Sequence, residues 1–228
     1  MTVSAVMLFG SRARGDNTAA SDTDLLMMTE DRAAPRHAVV AGISLSFYAQ
    51  SDFVRRAEEG DLFVWHVLFE GRPLYDPSNR FEDLRGCFRL RSSYDREIGQ
   101  GAALAWMLVR FGHRYRSSAL AARRATWAVR TILIARSAEQ GLPRFAAAEL
   151  EKLAPLPETT RLIRLKTEGG LSDGAVEDLR RFLVAQRLPN PVPHAPDEEG
   201  FRHHFEESGN EVGIGFLQAR HADQDYPS

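Results

Sequence analysis

Cysteine, lysine and long apolar runs are all scarce in this sequence. The single cysteine, Cys87, excludes an internal disulfide and any thiolate zinc site, and it suits a reducing cytoplasm. The longest apolar stretches are far shorter than the roughly 20 residues a membrane-crossing helix needs, so no integral membrane protein is expected. The N-terminus carries no basic segment followed by a long apolar run and cleavage site, so no secretory signal is read. Lysine is confined to Lys152 and Lys166. The positive charge is therefore nearly all arginine, whose planar fork matches carboxylate and phosphate oxygens.

What remains is ample for folding. With 228 residues, 43% hydrophobic and 26% charged, the chain can form one large domain or two small ones, each with its own core. The net charge of −2 hides an uneven distribution. Residues 1–78 carry 7 basic and 11 acidic groups, residues 79–188 carry 20 and 12, and residues 189–228 carry 2 and 8. The basic middle suits nucleic acid, nucleotide phosphates or an acidic partner, and it equally suits solvated helix faces paired with the acidic tail.

Periodicity divides the chain at the same places. Val3 to Phe9 (VSAVMLF) is an apolar run ending at Gly10-Ser11, as expected of a buried strand feeding a turn. Ser21 to Met28 (SDTDLLMM) alternates and then turns apolar. Gly42 to Tyr48 (GISLSFY) alternates strictly, with Ser44, Ser46 and Tyr48 on its polar face. The charged stretch Thr29 to Arg36, broken by Pro35, reads as a loop. Two helices are expected over about 52–59 and 61–70, then a short Arg72 to Tyr75 segment and turn chemistry. From Arg80 the chain becomes Ala, Leu and Arg rich, with helical spacing over about 80–116, 118–140 and 145–153 and a further pair over about 157–167 and 172–187, around Gly169-Gly170. The fold class read from this pattern is α+β: three strands of one small sheet flanked by helices over 1–78, then a helical bundle over 79–188. Residues 189–228 read as a proline-rich linker and acidic tail, in which Phe201 to Phe205, Ile214, Phe216 and Leu217 offer docking residues.

The chemistry lies in Gly10 to Asp24, GSRARGDNTAASDTD. Gly10 at a strand end lets the backbone approach a ligand closely. Ser11 offers a hydroxyl and an N–H to phosphate oxygens, and Gly15 relaxes the turn that follows. Asp22 and Asp24 stand two apart on an expected strand, so both carboxylates project from one face and can hold the same divalent ions. Oxygen-only ligands favour magnesium or manganese.

A GS pair after a hydrophobic strand, an arginine-bearing turn and DxD opening the next strand resemble the signature of the DNA polymerase beta nucleotidyltransferase superfamily. The GSx10DxD spacing is similar to that of the minimal nucleotidyltransferases. The resemblance implies that the small sheet is mixed, and it implies transfer of a nucleoside monophosphate from a metal-bound nucleoside triphosphate to an acceptor hydroxyl, with pyrophosphate leaving. It implies that Gly10 and Ser11 hold the β- and γ-phosphates, with Arg12 and Arg14 as further candidate phosphate contacts, and that Asp22 and Asp24 bind Mg2+ or Mn2+. ATP is the preferred donor, because relatives often use it. The acceptor is a small hydroxylated molecule or a protein side chain, as in adenylylation within toxin-antitoxin pairs. An RNA acceptor is less favoured, because the acidic first domain and tail repel phosphates.

The sequence departs from the family pattern in one consequential place. Family members carry a third carboxylate on a following strand, whereas the polar face of GISLSFY presents Ser44 and Ser46 there. A hydroxyl is a poor metal ligand and no base near neutral pH. An alternative reading is thus a weakened nucleotide-binding sensor or scaffold acting in a partner complex. The first strand also begins at Val3, without the helix that family members commonly place before it, which leaves a flank for a partner chain or a second copy. In the helical half, Arg110, Arg114, Arg123 and Arg130 are candidates for an acceptor-facing surface, while Trp106 and Trp127 read as core. Arg110 and His113 stand too close together for the spacing of HEPN ribonucleases, so no nuclease is read.

Overall fold

The computed structural model describes residues 2–19, 21–30, 36–116, 118–165 and 170–224, the last five of these as backbone only. The loop expected over Thr29 to Arg36 and the glycine pair at 169–170 fall in part outside the described residues. Two compact units are formed, one from Met1–Ser93 with Ala138–Ala146, the other from Tyr94–Ser137 with Ala147–Ser228. The expected boundary at 78/79 thus lies inside the first unit.

The first unit holds a five-stranded mixed sheet. Strand β1 (Val3–Phe9) runs into a single short helix, α1 (Gly10–Arg14), followed by β2 (Thr23–Thr29), β3 (Arg36–Val40) and β4 (Ile43–Ala49). Helices α2 (Gln50–Glu58) and α3 (Leu62–Glu70), strand β5 (Arg72–Tyr75) and helix α4 (Arg80–Cys87) complete it. The strand order is β3-β4-β2-β1-β5, with β2 and β4 parallel and every other pair antiparallel. Alternation along β1 and β2 does what period two requires: Ala5, Met7, Leu26 and Met28 are wholly buried on one face. They pack with Phe53, Val64, Val67, Leu68 and Phe81 from the helices. Asp61 caps α3 by accepting from the Val64 N–H at 3.0 Å, which is why the helix starts there. The long helix expected over 80–116 is broken, because Phe88 turns to extended backbone and closes α4.

The second unit is all helical. It contains α5 (Asp95–Phe111), most of α6 (Ala119–Glu139), α7 (Ala147–Leu153), α8 (Pro157–Arg164), α9 (Asp173–Ala185), α10 (Glu198–Ser208) and α11 (Glu211–Gln224). The acidic tail docks through the residues expected to do so: Phe201, Phe205, Phe216 and Leu217 are buried in the same core as Leu104, Leu108 and Phe182. Asn210 ties it down, donating from Nδ2 to the Gln100 carbonyl at 3.0 Å and accepting from the Gly213 N–H at 3.0 Å. Because Asn210 is 1% exposed and caps α11, Asn210→Ala leaves the buried Gly213 N–H unpaired and removes the tie to the Gln100 carbonyl. The expected cost is about 2 kcal/mol, read as a lower midpoint in thermal unfolding. No helix among the described residues is long and apolar enough to cross a membrane.

Candidate active site

Antiparallel pairing brings the two ends of the GSRARGDNTAASDTD segment together. Phe9, the last residue of β1, is the register partner of Asp24 on β2. Leaving β1, Gly10 takes φ +75°, a conformation that side chains rarely tolerate. A Cβ built on it would lie 2.3 Å from Oδ2 of Asp24, so the glycine and the carboxylate are in direct contact. Asp24 shares its face with the buried Leu26 and Met28, and it terminates that apolar row with a charge at the α1 end. Asp22 lies exposed just ahead of β2. Among the described residues neither its carboxylate nor the Ser11 hydroxyl has a hydrogen-bond partner.

The two arginines of α1 are engaged with protein. Arg12 donates from Nη2 to the Ser21 carbonyl at 2.8 Å and from Nε to the Asp22 carbonyl at 3.2 Å. It thereby ties α1 to the segment that delivers the two aspartates. Arg14 pairs with Asp16 at 3.1 Å and with Glu70 at 3.0 Å. Glu70 also accepts from Nδ1 of His66 at 2.7 Å, and the His66 ring stacks on Phe145 with centroids 4.4 Å apart. Burial alone pushes the Glu70 carboxyl up, but the His66 hydrogen bond and the charges of His66 and Arg14 outweigh it and hold the group below its ordinary value. No local pattern announces this cluster. His66 and Glu70 stand one helical turn apart, but Arg14 is 56 residues from Glu70 and Phe145 comes from beyond α6.

The position opposite the aspartates is now defined. In the parallel pair, Asp24 is the register partner of Ser44, and Leu26 that of Ser46. Ser44 thus stands beside the carboxylate, and Ser46 one pair further along, 3.5 Å from Nδ1 of His37 on β3. Among the described residues no group of three or more His, Cys, Asp or Glu side chains could enclose a metal ion. The donor set is two carboxylates only, which fits a magnesium ion that keeps water and substrate phosphates as its remaining ligands.

Of the four arginines expected to form a surface in the helical half, two are engaged in its own packing. Arg110 donates to the Pro193 carbonyl at 2.9 Å and Arg114 pairs with Glu198 at 3.1 Å.

Residues 1–80 match the family model described as Polymerase beta, Nucleotidyltransferase. A solved structure of a nucleotidyltransferase-like protein from Exiguobacterium sibiricum 255-15 is similar at 14% identity and a TM-score of 0.37, over 96% of this chain and 86% of that one. A likeness that distant carries no argument about the site. No curated protein matches the chain.

Proposed function

Because residues 1–80 carry a nucleotidyltransferase domain of the DNA polymerase beta superfamily, we propose that this protein transfers a nucleoside monophosphate, AMP from ATP, to a hydroxyl of a protein or small-molecule acceptor. A bond forms between the acceptor oxygen and the α-phosphorus, the bond to the β-phosphate oxygen breaks, and pyrophosphate leaves. The observation that carries this reading is the contact of Gly10 with the Asp24 carboxylate. It joins a strand-end turn lacking a side chain to an acidic group, so that phosphate and carboxylate chemistry share one corner of the sheet.

In this reading Gly10 and Ser11 bind the β- and γ-phosphates through backbone N–H and hydroxyl. Arg12 and Arg14 act differently from the simplest expectation. Arg12 orients the Ser21-Asp22 segment, and Arg14, clamped by Glu70, fixes α1 against α3. Asp22 and Asp24 are the residues that would hold Mg2+ or Mn2+, which when bound neutralises charge on the transferring phosphoryl group. Ser44 takes no proton near neutral pH and Asp24 would be engaged by the metal, so the acceptor's proton passes to water or to a carboxylate brought by the acceptor. The test is incubation with α-labelled ATP and magnesium in native-host lysate. A labelled product sets the acceptor class by its size, and the absence of any label beside measurable ATP binding would refute transfer.

The register of Ser44 with Asp24 favours a second reading, a nucleotide-binding scaffold of the same fold that acts in a partner complex. Ser44→Asp distinguishes the two. Placing like charges on neighbouring strands costs about 0.2–1 kcal/mol without metal, and added magnesium should recover that loss of thermal stability. If the site lacks only the third acid, turnover also rises at least tenfold. Unchanged turnover together with metal binding would favour the scaffold.

A further inference from the structure

We propose that the face of α6 bearing Arg123, Arg124 and Trp127 binds a nucleotide unit, its phosphate on the two arginines and its base against the indole. Most arginines of the helical unit are matched to acceptors. Arg116 pairs with Asp173, Arg161 with Asp178, Arg164 with Glu151, and Arg180 and Arg181 with Glu177. Arg123 and Arg124 are not: among the described residues neither has a hydrogen-bond or ion-pair partner. Arg124 is half-buried and its Nε is shut off from solvent without an acceptor. Burial, and then the charge of Arg123, push its guanidinium below its ordinary pKa. A protein that holds a cation partly out of water beside a second cation, with no carboxylate to balance them, carries a standing cost that an anion would remove.

The neighbouring side chain narrows the anion. Trp127 follows Arg124 by three residues and Arg123 by four, so all three share one helical face. The indole is only half-buried where it packs against the bundle core. Two guanidinium groups beside a partly exposed indole suit a ligand that pairs phosphate with a flat unsaturated ring, as a nucleotide does, whether free or within a single strand. This inference is independent of nucleotidyl transfer and survives if that reading fails.

The test uses the full chain and a fluorescein-labelled oligouridylate of twelve nucleotides, followed by anisotropy across a salt series. Arg123→Gln/Arg124→Gln should weaken binding at least tenfold and reduce the salt slope by about 0.7, the value for one phosphate contact on a single strand. Arg180→Gln/Arg181→Gln, which removes the same charge from α9, should leave affinity within twofold. Free AMP displacing the label identifies a mononucleotide as a sufficient ligand, and displacement by unlabelled strand alone identifies a strand. The ligand-free Arg124→Gln protein should melt at or above the wild-type temperature, because the guanidinium has no partner to lose. Equal binding by wild type and the double variant, no binding by either probe, or a lowered melting temperature for Arg124→Gln would overturn the proposal.

Discussion

Asp24→Asn should lower nucleotidyl transfer by about 10²- to 10³-fold, the loss typical when one preorganised group is removed from a charged transition state. The substitution preserves the shape of the side chain and removes only its charge. Leu26 and Met28, behind it on the same face, stay packed, so the melting temperature should move by only a few degrees. Parallel assays of transfer and thermal unfolding separate the two effects. Transfer at the wild-type rate in a protein verified to be Asn at this position would remove Asp24 from the proposed chemistry. Asp22→Asn is the companion measurement, because Asp22 is exposed and its substitution has less structural consequence still.

Gly10→Ala should be nearly as damaging by a different route. Two costs add at this position. Forcing a side chain to φ +75° costs about 1–2 kcal/mol, and the new methyl would also stand 2.3 Å from Oδ2 and 3.2 Å from Cγ of Asp24, which must then move. Gly15→Ala is the matched control. Its φ of +83° imposes the same backbone strain, yet nothing lies within 4 Å of the added carbon. Gly15→Ala should therefore lose only the strain cost, whereas Gly10→Ala loses more stability than that and also loses transfer, by at least 10²-fold. Equal transfer in the two variants would mean that the Gly10–Asp24 contact is incidental.

These expectations show how far the residues could be read in advance. β1 was legible over its whole length, since an apolar run broken only by Ser4 and ending in Gly-Ser has few other uses. The start of α3 was equally plain, because Asp61 stands immediately before a run of apolar residues. β3 was not read at all. Arg36–Val40 is an edge strand with little burial on either face, and it is extended because it pairs with β4, not because of its own pattern. The single helix read over 80–116 failed for a related reason. Composition reports helical preference over a window, whereas the break at Phe88, whose side chain is buried with the first unit's core, follows from packing.

The candidate site divides in the same way. Gly10, Ser11, Asp22 and Asp24 lie within fifteen residues of one another, so local spacing alone named them and the chemistry their types allow. The absence of an acid on the polar face of β4 was visible too, because period two fixes which residues share a face. Which of Ser44 and Ser46 stands beside Asp24 was decided by the parallel register, which no local pattern encodes. The same holds for Arg14, whose partner Glu70 lies on another helix, and for Arg124, whose lack of a partner among the described residues is a property of the packing around it. The sequence by itself determined the superfamily of the first 80 residues and named the acidic and glycine residues of the candidate site, because both rest on spacing along one short segment. Tertiary structure alone decided which strands neighbour one another, which arginines are neutralised and which are not, because those depend on contacts between residues far apart in the chain.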